Sequence, residues 1–413
     1  MTKFLSGFYF IFLAYFFFLS LIGKNFSYLH ITINSFPIFI GDFFLFLSLI
    51  FSFFRKDLII QKTLKSKKIF ICYFIFLIIN FLILIKTLYL NSNTSIIPIL
   101  KNFAIVYQSL WIFWALSIKE KEWVYFLKTI LIAISVSQVY GLFFTPLDAL
   151  NSDRQIFIYG NEALAALFPL ILLLFSPKYS FLFLTAFGIP LHHQVIYLKK
   201  SWILNSLITI FLIFKYIEPN FKRKLISFLT PLFLGALIAT GYFYIAKIDF
   251  TDAPKHLRND LKTKKFFLHQ TLEKGIRSEF RVHMWSQSIR GFLDSPIYGN
   301  GYSKLIVLTH PDGSPAKEGG KWISGPHNSF LTLLFRGGLV GFVPFILLIW
   351  FTLKRRSLVI HNPLNQTLYI SFISISFYAF LNVCLENPQG GTWFWIFLSG
   401  LIANLKRVPN VTF

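Results

Sequence analysis

His327 is the residue whose type and position best suit acid–base chemistry. It lies in the segment Gly325-Pro326-His327-Asn328, directly before a long apolar run. Asn328 is a good N-cap residue, so we expect a helix to begin there with His327 at its positive end. That end disfavours imidazolium, and a neutral imidazole can accept a proton from an attacking hydroxyl. The alternative is an interfacial histidine that only hydrogen-bonds the neighbouring loop.

Cationic residues offer a second kind of chemistry, because Arg and Lys bind phosphate oxygens. The segment before His327 holds many Lys and Arg residues that the positive-inside pattern of a membrane protein does not explain, among them Arg277, Arg281, Arg290, Lys304, Lys317 and Lys321. Acidic residues are interspersed among them, so for most of these side chains we expect a solvated loop of mixed charge. The alternative is an anion site for a phosphate-bearing substrate. Lys200, which follows an earlier apolar run, is a further candidate for such a site.

Metal chemistry has no support in the spacing of the residues. The sequence contains no His-Glu-x-x-His pattern, and the histidines in the segment before His327 lack the spacing of a zinc site. No Asp-x-Asp pair is present to hold a divalent cation beside a diphosphate. We therefore expect no metal and no cofactor. Gly299-Asn300-Gly301 lacks the strand and helix of a nucleotide-binding loop and is predicted to form a turn.

The composition indicates what kind of scaffold holds these residues. Of the 413 residues, 55% are hydrophobic, 19% are aromatic and 14% are charged, whereas soluble proteins have about 25% charged residues. Apolar runs long enough to cross a bilayer recur along the whole chain. The net charge of +23 does not indicate nucleic-acid binding, because many basic residues lie in short loops between these runs. The sequence predicts an all-α polytopic membrane protein.

The basic loops predict the orientation of the helices. The stretch 55–68 contains six cations and one acid, which by the positive-inside rule places it and the N-terminus in the cytoplasm. About twelve transmembrane helices keep every such loop on that side. The apolar runs are 4–22, 36–54, 69–90, 96–118, 123–144, 161–176, 180–197, 202–217, 225–246, 328–353, 364–384 and 392–405. The run 180–197 contains Pro190 and is alternatively a re-entrant element.

One long segment, from about Lys247 to His327, then lies on the external, periplasmic side. It divides the chain into transmembrane helices over 1–246, a large loop over 247–327 and transmembrane helices over 328–413. Apolar residues at helical spacing predict an amphipathic helix over 280–293, which contains Trp285 and which Ser295-Pro296 ends. Glu386 lies in the last external loop.

Charged side chains inside apolar runs are costly at membrane depth, so each of them is an independent candidate for a functional residue. Lys86 and Lys128 are predicted to be structural, since their long side chains can reach an interface. Arg336 lies two turns after His327, beside Gly337-Gly338.

An ordered set of motifs spans residues 281–341. It reads R-V-H-M-W, then S-P-I-Y-G-N-G-Y and, after a variable insert, H-N-S-F-L-T-L-L-F-R-G-G-L-V-G-F. Together these motifs resemble the O-antigen ligase and O-antigen polymerase superfamily of bacterial envelope glycosyltransferases. That family shows the same order of Arg…Trp, a Pro-x-x-Gly-x-Gly turn, and a His-Asn pair followed by a Gly-x-x-Gly helix. The rest of the chain agrees in the number of spans and in hydropathy.

The resemblance implies a fold like that of GT-C-type glycosyltransferases and metal-independent, inverting glycosyl transfer at the periplasmic face of the bacterial inner membrane. The donor would be a glycan on undecaprenyl diphosphate. The family's loop Arg falls on Arg281 and its catalytic His on His327, while a further basic residue, usually Arg, falls on Lys200. Lys200 departs from the pattern, because Lys cannot bind a diphosphate bidentately. Arg277 is a further candidate for the diphosphate, and the supporting residues are Asn328, Trp285 and Glu386.

The two kinds of enzyme in this superfamily, the ligases and the polymerases, differ in their acceptor. In the ligases it is a sugar hydroxyl of lipid A–core, and in the polymerases it is another lipid-linked repeat unit. We expect a ligase, with a polymerase as the alternative. The alternative from another class is a transporter of an anionic lipid or solute. Transporters commonly show two related halves, and no such similarity is visible in this sequence.

Overall fold

The computed structural model describes residues 2–33, 36–91, 96–144, 283–303, 325–354, 363–386 and 388–404, with short pieces at 182, 185, 207–209, 211–212, 230–235, 237–238, 317–318 and 321–322. This part of the chain is mostly helical. Four of its helical segments are long and apolar enough to cross a membrane: Lys67–Leu90, Ile96–Ser117, Ser329–Leu353 and Leu364–Leu381. Two shorter apolar helices cover Gly7–Ile22 and Ile40–Phe54. The prediction of a helical membrane protein is confirmed, while four of the expected spans, from 161 to 246, lie largely outside the described residues.

The helices of the N-terminal part follow one another closely. They are α1 (Thr2–Ile22), α2 (Lys24–Ser27), α3 (Ile40–Phe54), α4 (Lys56–Lys65), α5 (Lys67–Leu90), α6 (Ile96–Tyr107), α7 (Trp111–Ser117) and α8 (Glu120–Phe144). A short 3-10 turn, Gln108–Leu110, joins α6 to α7, so the apolar run 96–118 is interrupted near its middle.

The remaining described helices belong to the second half of the chain. They are α9 over residues 283–293, α10 (Ser329–Leu353), α11 (Pro363–Leu381) and α12 (Pro388–Asn404). The predicted amphipathic helix 280–293 is thus confirmed over its described part. Met284 is buried on it, but Ile289, five positions further on, is 44% exposed. The packed side instead includes Gly291, whose added β-carbon would lie 2.6 Å from the Phe335 ring.

The second apolar run, 36–54, does not form one helix, and that prediction is wrong at its start. Residues His30–Ile33 and Phe36–Phe39 form strands β1 and β2, which pair in antiparallel fashion with His30 opposite Phe39. Pro37 disfavours the helical conformation at the residue before it and leaves the chain extended. The helix therefore begins only at Ile40 and has 15 residues, fewer than the roughly 20 of a typical transmembrane helix.

The basic stretch 55–68 contains α4 and the first residues of α5, and several of its side chains make specific contacts. Arg55 binds Glu122 of α8 through two bonds of 2.8 and 3.1 Å, and it also donates to the Ser117 carbonyl at 2.9 Å. Lys62 donates to the Ile118 carbonyl at 2.5 Å. Burial lowers the pKa of Lys62 to about 8, although the nearby Glu122 carboxylate acts in the opposite direction. These contacts attach α4 to the α7–α8 junction.

Aromatic side chains form much of the described core. Tyr15 stacks on Phe44 with ring centroids 4.2 Å apart and on Trp111 at 5.8 Å. Phe16 packs against Trp114 and, from the C-terminal helix α12, against Trp393. Between residues 389 and 402 every side chain of α12 is buried, because its surface is apolar or small on all sides, as expected of a central helix. This core joins α1 to α12, the first and last of the described helices.

Candidate active site

The site begins where α10 begins. Asn328 is the N-cap, and its side-chain oxygen accepts a hydrogen bond of 3.1 Å from the Leu331 amide. The prediction that Asn328 caps this helix is therefore confirmed. Asn328 is fully buried, and its Nδ2 has no partner among the described residues. The cap places His327 immediately before the helix, at the end where unpaired amides concentrate positive charge.

His327 has an unusual backbone conformation. Its φ is +49°, and among the described residues it is the one non-glycine with positive φ. Such a conformation costs roughly 1–3 kcal/mol and persists where the surrounding structure enforces it. The side chain is half-buried. The left-handed turn redirects the chain between Pro326, which is buried, and the buried cap Asn328.

Trp285 holds the segment that precedes His327. Its Nε1 donates a 2.8 Å hydrogen bond to the carbonyl of Pro326. Its ring packs on Phe380 of α11 in an edge-to-face arrangement, with ring centroids 5.7 Å apart. Phe380 in turn contacts Phe330 in the first turn of α10. One tryptophan of α9 thus joins the His327 segment to two helices that come later in the chain.

Ser329 holds the other side of His327 to the loop after α11. Its hydroxyl lies 2.5 Å from Glu386 Oε2 and accepts hydrogen bonds from the amides of Cys384 at 2.9 Å and Leu385 at 3.1 Å. Burial raises the pKa of Glu386, while hydrogen bonds from Ser329 and Thr332 and the charge of Arg336 oppose that rise. Glu386 therefore lies beside the first two turns of α10.

A break in α10 receives the glycine-containing turn. Gly338 has φ +59° and ψ −167°, so the helix is interrupted there. The predicted turn at Gly299-Asn300-Gly301 is confirmed, and it docks against this break. Four backbone hydrogen bonds join the two segments: Asn300 N to Phe335 O (2.9 Å), Gly301 N to Arg336 O (3.0 Å), Leu339 N to Pro296 O (2.8 Å) and Val340 N to Ile297 O (3.1 Å). The turn thereby provides hydrogen-bond partners for backbone groups that have no helical partner at the break. Irregular backbone inside a membrane protein needs such partners.

Tyr302 joins the same turn to α5, α6 and α10. Its hydroxyl donates to Asn80 Oδ1 at 2.8 Å, and its amide donates to Thr87 Oγ1 at 3.2 Å. Its carbonyl accepts from Asn102 Nδ2 at 2.7 Å and from Arg336 Nη1 at 3.3 Å. Arg336 is 2% exposed, and its Nε has no partner in the described part of the chain.

The structure brings together four of the predicted site residues. His327, Asn328, Trp285 and Glu386 lie around the start of α10, joined through the contacts of Pro326 and Ser329. Arg277, Arg281 and Lys200 lie outside the described residues. In the sequence, Arg281 stands two positions before the first described residue of α9.

Sequence reasoning missed the roles of Ser329 and Tyr302. Each adjoins a recognised motif, because Ser329 follows the His-Asn pair and Tyr302 follows the Gly-Asn-Gly turn. That adjacency was the signal available for finding them. Their partners, Glu386 and Asn80, are 57 and 222 residues away along the chain, so no local spacing indicates these pairs.

The fold and the site define a class of protein: a multi-pass helical membrane protein with a polar site at the end of a broken apolar helix. Comparison with known proteins shows what one segment of the chain is similar to. Residues 195–346 match the sequence model of the O-antigen ligase family. The resemblance to the O-antigen ligase superfamily is therefore confirmed over this stretch.

One curated relative aligns with part of the chain. It is the ComP-specific O-oligosaccharyltransferase of Acinetobacter baylyi, which is 26% identical over 145 residues. The alignment covers 34% of this chain and 26% of that protein, so the chain spans about a quarter of the length of that relative.

Proposed function

We propose that this chain is a membrane glycosyltransferase. It transfers a glycan, an O-antigen or a similar surface polysaccharide, from undecaprenyl diphosphate to a sugar hydroxyl of lipid A–core. The match of residues 195–346 to the O-antigen ligase family supports glycan transfer. The relative is named an O-oligosaccharyltransferase, which supports transfer of an oligosaccharide to an oxygen atom. The protein acts in the bacterial inner membrane, with its site at the periplasmic face.

The geometry around His327 carries the proposal. A half-buried imidazole stands at the amino end of α10, on a left-handed residue that is held on both sides. Trp285 binds the carbonyl before it, and the Asn328 cap follows it. A rigid, strained histidine at the end of an apolar helix is suited to a base whose position must be exact to within fractions of an ångström.

The chemistry requires a base and a set of cations. His327 accepts the proton of the acceptor hydroxyl while that oxygen attacks the anomeric carbon of the donor. The new glycosidic bond forms as the bond to the diphosphate oxygen breaks, so the configuration at that carbon inverts. The diphosphate leaves with its growing negative charge stabilised by Arg281, Arg277 and Lys200. In this proposal these cations do the work that a divalent metal does in other glycosyltransferases.

The supporting residues act on the position of His327. Trp285 binds the carbonyl of Pro326, directly before His327, and Asn328 caps the helix directly after it. Glu386 accepts a hydrogen bond from Ser329, two positions after His327. The wider architecture belongs to the same proposal: about twelve transmembrane helices, with the large periplasmic loop 247–327 between the helices of 1–246 and those of 328–413.

The test is the lipopolysaccharide profile of a deletion strain that is complemented with wild type or with His327→Ala. We expect wild type to restore O-chains on lipid A–core and His327→Ala to restore none, with the polymer accumulating on its lipid carrier. His30→Ala is the matched control, because His30 is an exposed histidine of β1. Donor binding by purified His327→Ala should remain close to that of wild type, since the diphosphate is bound by other residues.

The same experiment separates the alternatives. Core that carries a single repeat unit in the deletion strain would identify a polymerase that joins lipid-linked repeats. A profile that the deletion leaves unchanged would remove the O-antigen assignment and favour another acceptor or transport. Full activity of His327→Ala would refute the role of His327 as the base.

A further inference from the structure

One face of α4 combines exposed cations with exposed apolar side chains. The helix is joined to α3 and α5 by the single residues Arg55 and Ser66, so it lies at the membrane-surface end of two apolar helices. Residues 55–68 and the neighbouring 119–122 contain eight cations and three acids. An excess of cations is the usual topology signal, but topology does not account for exposed apolar residues among them.

The inner side of α4 is occupied by protein contacts. The Arg55 side chain is bound by Glu122 at 2.8 Å, and Lys62 donates to the Ile118 carbonyl. These bonds fix the rotation of the helix about its own axis, so the opposite side has a defined composition.

The outer side of α4 carries Ile60 and Leu64 one turn apart, 53% and 68% exposed. It continues into the exposed Phe53 of α3, and the Lys56 ammonium lies 5.9 Å from the centroid of the Phe53 ring. Lys65, Lys67 and Lys68 are exposed at its far end, and Asp57 is the one exposed acid of α4. Apolar side chains flanked by lysines are the composition of a helix that lies in the membrane interface.

We propose that this face of α4 binds an anionic glycerophospholipid of the surrounding bilayer. Ile60 and Leu64 insert at the level of the upper acyl chains. Lys65 and Lys68, at one end of the face, bind the phosphate of the head group, and Lys56 adds positive charge at the other end. The excess of cations selects a lipid of net negative charge over a zwitterionic one. The site is separate from the His327 site, and the proposal does not depend on glycan transfer.

Native mass spectrometry of the purified full-length protein tests the proposal with three probes. These are dioleoylphosphatidylglycerol, dioleoylphosphatidylcholine and glycerol 3-phosphate. We expect phosphatidylglycerol to bind at least tenfold more tightly than phosphatidylcholine. Glycerol 3-phosphate should not bind, because it lacks the acyl chains that Ile60 and Leu64 contact. Equal retention of the two lipids would overturn the proposal, and so would binding of glycerol 3-phosphate as tight as that of phosphatidylglycerol.

Variants locate the site on α4. The triple substitution Lys56→Gln, Lys65→Gln and Lys68→Gln should weaken phosphatidylglycerol binding by roughly fivefold per lysine. Ile60→Ser with Leu64→Ser should weaken both lipids. Lys101→Gln, an exposed lysine of α6, is the control and should change neither. Undiminished phosphatidylglycerol binding by the triple variant would refute the assignment.

A measurement on wild type alone covers the case in which the variants do not fold. Phosphatidylglycerol should raise the melting temperature more than phosphatidylcholine does. Raising the salt from about 0.1 to about 1 M should remove that difference, because it shortens the screening length to roughly 3 Å. A difference that persists unchanged at high salt would exclude binding by exposed lysines.

Discussion

Gly299 and Gly338 face each other so closely that a β-carbon added to either would collide with the backbone of the other. Both have positive φ, +69° and +59°. The Gly299-Asn300-Gly301 turn and the break in α10 therefore form a single unit, since neither glycine can accept a side chain while the other stays in place. This contact lies eleven residues after His327 in α10 and connects the site to the membrane-embedded part of that helix.

Gly338→Ala should separate the turn from the broken helix. The new methyl group would meet the Ile297 carbonyl and the Gly299 amide, and the residue would keep an unfavourable positive φ. We expect a loss of roughly 2–5 kcal/mol in folding free energy, measured as a fall in melting temperature in detergent. Gly7→Ala is the control, because nothing lies within 4 Å of its added β-carbon. Equal stability of the two variants would contradict the close contact.

Tyr302→Phe should leave the buried Asn80 without the partner of its side-chain oxygen. The 2.8 Å bond between these residues joins the turn to α5. An unsatisfied buried acceptor costs roughly 1–3 kcal/mol, which thermal unfolding would detect. Tyr298→Phe is the control, because Tyr298 lies four residues earlier and is 60% exposed. If both variants melted alike, the Tyr302–Asn80 bond would contribute nothing to stability.

His327→Gly should separate the stability of the site from its activity. Glycine accepts a φ of +49° without strain, so we expect this variant to be about 1 kcal/mol more stable than His327→Ala. Neither variant can accept the hydroxyl proton, and both should be inactive in glycan transfer. The comparison uses melting temperature and transfer assay on the same preparations. An alanine variant as stable as the glycine variant would argue against the left-handed conformation.

Trp285→Phe should impair the position of His327 with little effect on the fold. Phenylalanine keeps an aromatic ring against Phe380 but loses the 2.8 Å bond to the Pro326 carbonyl. We expect kcat to fall roughly ten- to a hundredfold, because small displacements of a base are costly, while unfolding loses only about 1 kcal/mol. Trp350→Phe, at a 61% exposed position of α10, is the control and should retain full activity. Unchanged kcat in Trp285→Phe would remove Trp285 from the positioning role.

Glu386 should make stability depend on pH in the acid range. Burial raises its pKa in the folded state above the ordinary value of 4.5. The folded protein then binds a proton more tightly than the unfolded chain, so the stabilising contribution is fully present below pH 4.5 and is lost as pH rises through the raised pKa. The melting temperature of wild type minus that of Glu386→Gln should therefore decrease from acid towards neutral pH. A difference that increases over this range would mean that the folded state favours the ionised carboxylate.

Much of the helical framework could be predicted from local patterns. The apolar runs identified α1, α5, α10 and α11 nearly to their observed bounds, because bilayer-length apolar segments have one stable conformation in lipid. The run 36–54 was mispredicted at its start, where Pro37 and the pairing of β1 with β2 replaced the expected helix. The N-cap at Asn328 was predicted correctly, since capping depends only on neighbouring residues.

The sequence by itself determined that this is a helical membrane protein, that α10 starts after His327, and that the motifs of 281–341 resemble those of the O-antigen ligase superfamily. Only the tertiary structure decided which distant residues support the site. Ser329 meets Glu386, Trp285 meets Pro326, and Gly299 meets the break at Gly338 across separations of 39 to 57 residues. Such contacts depend on how the helices pack, and the residue pattern of one segment does not show which distant segment will pack against it.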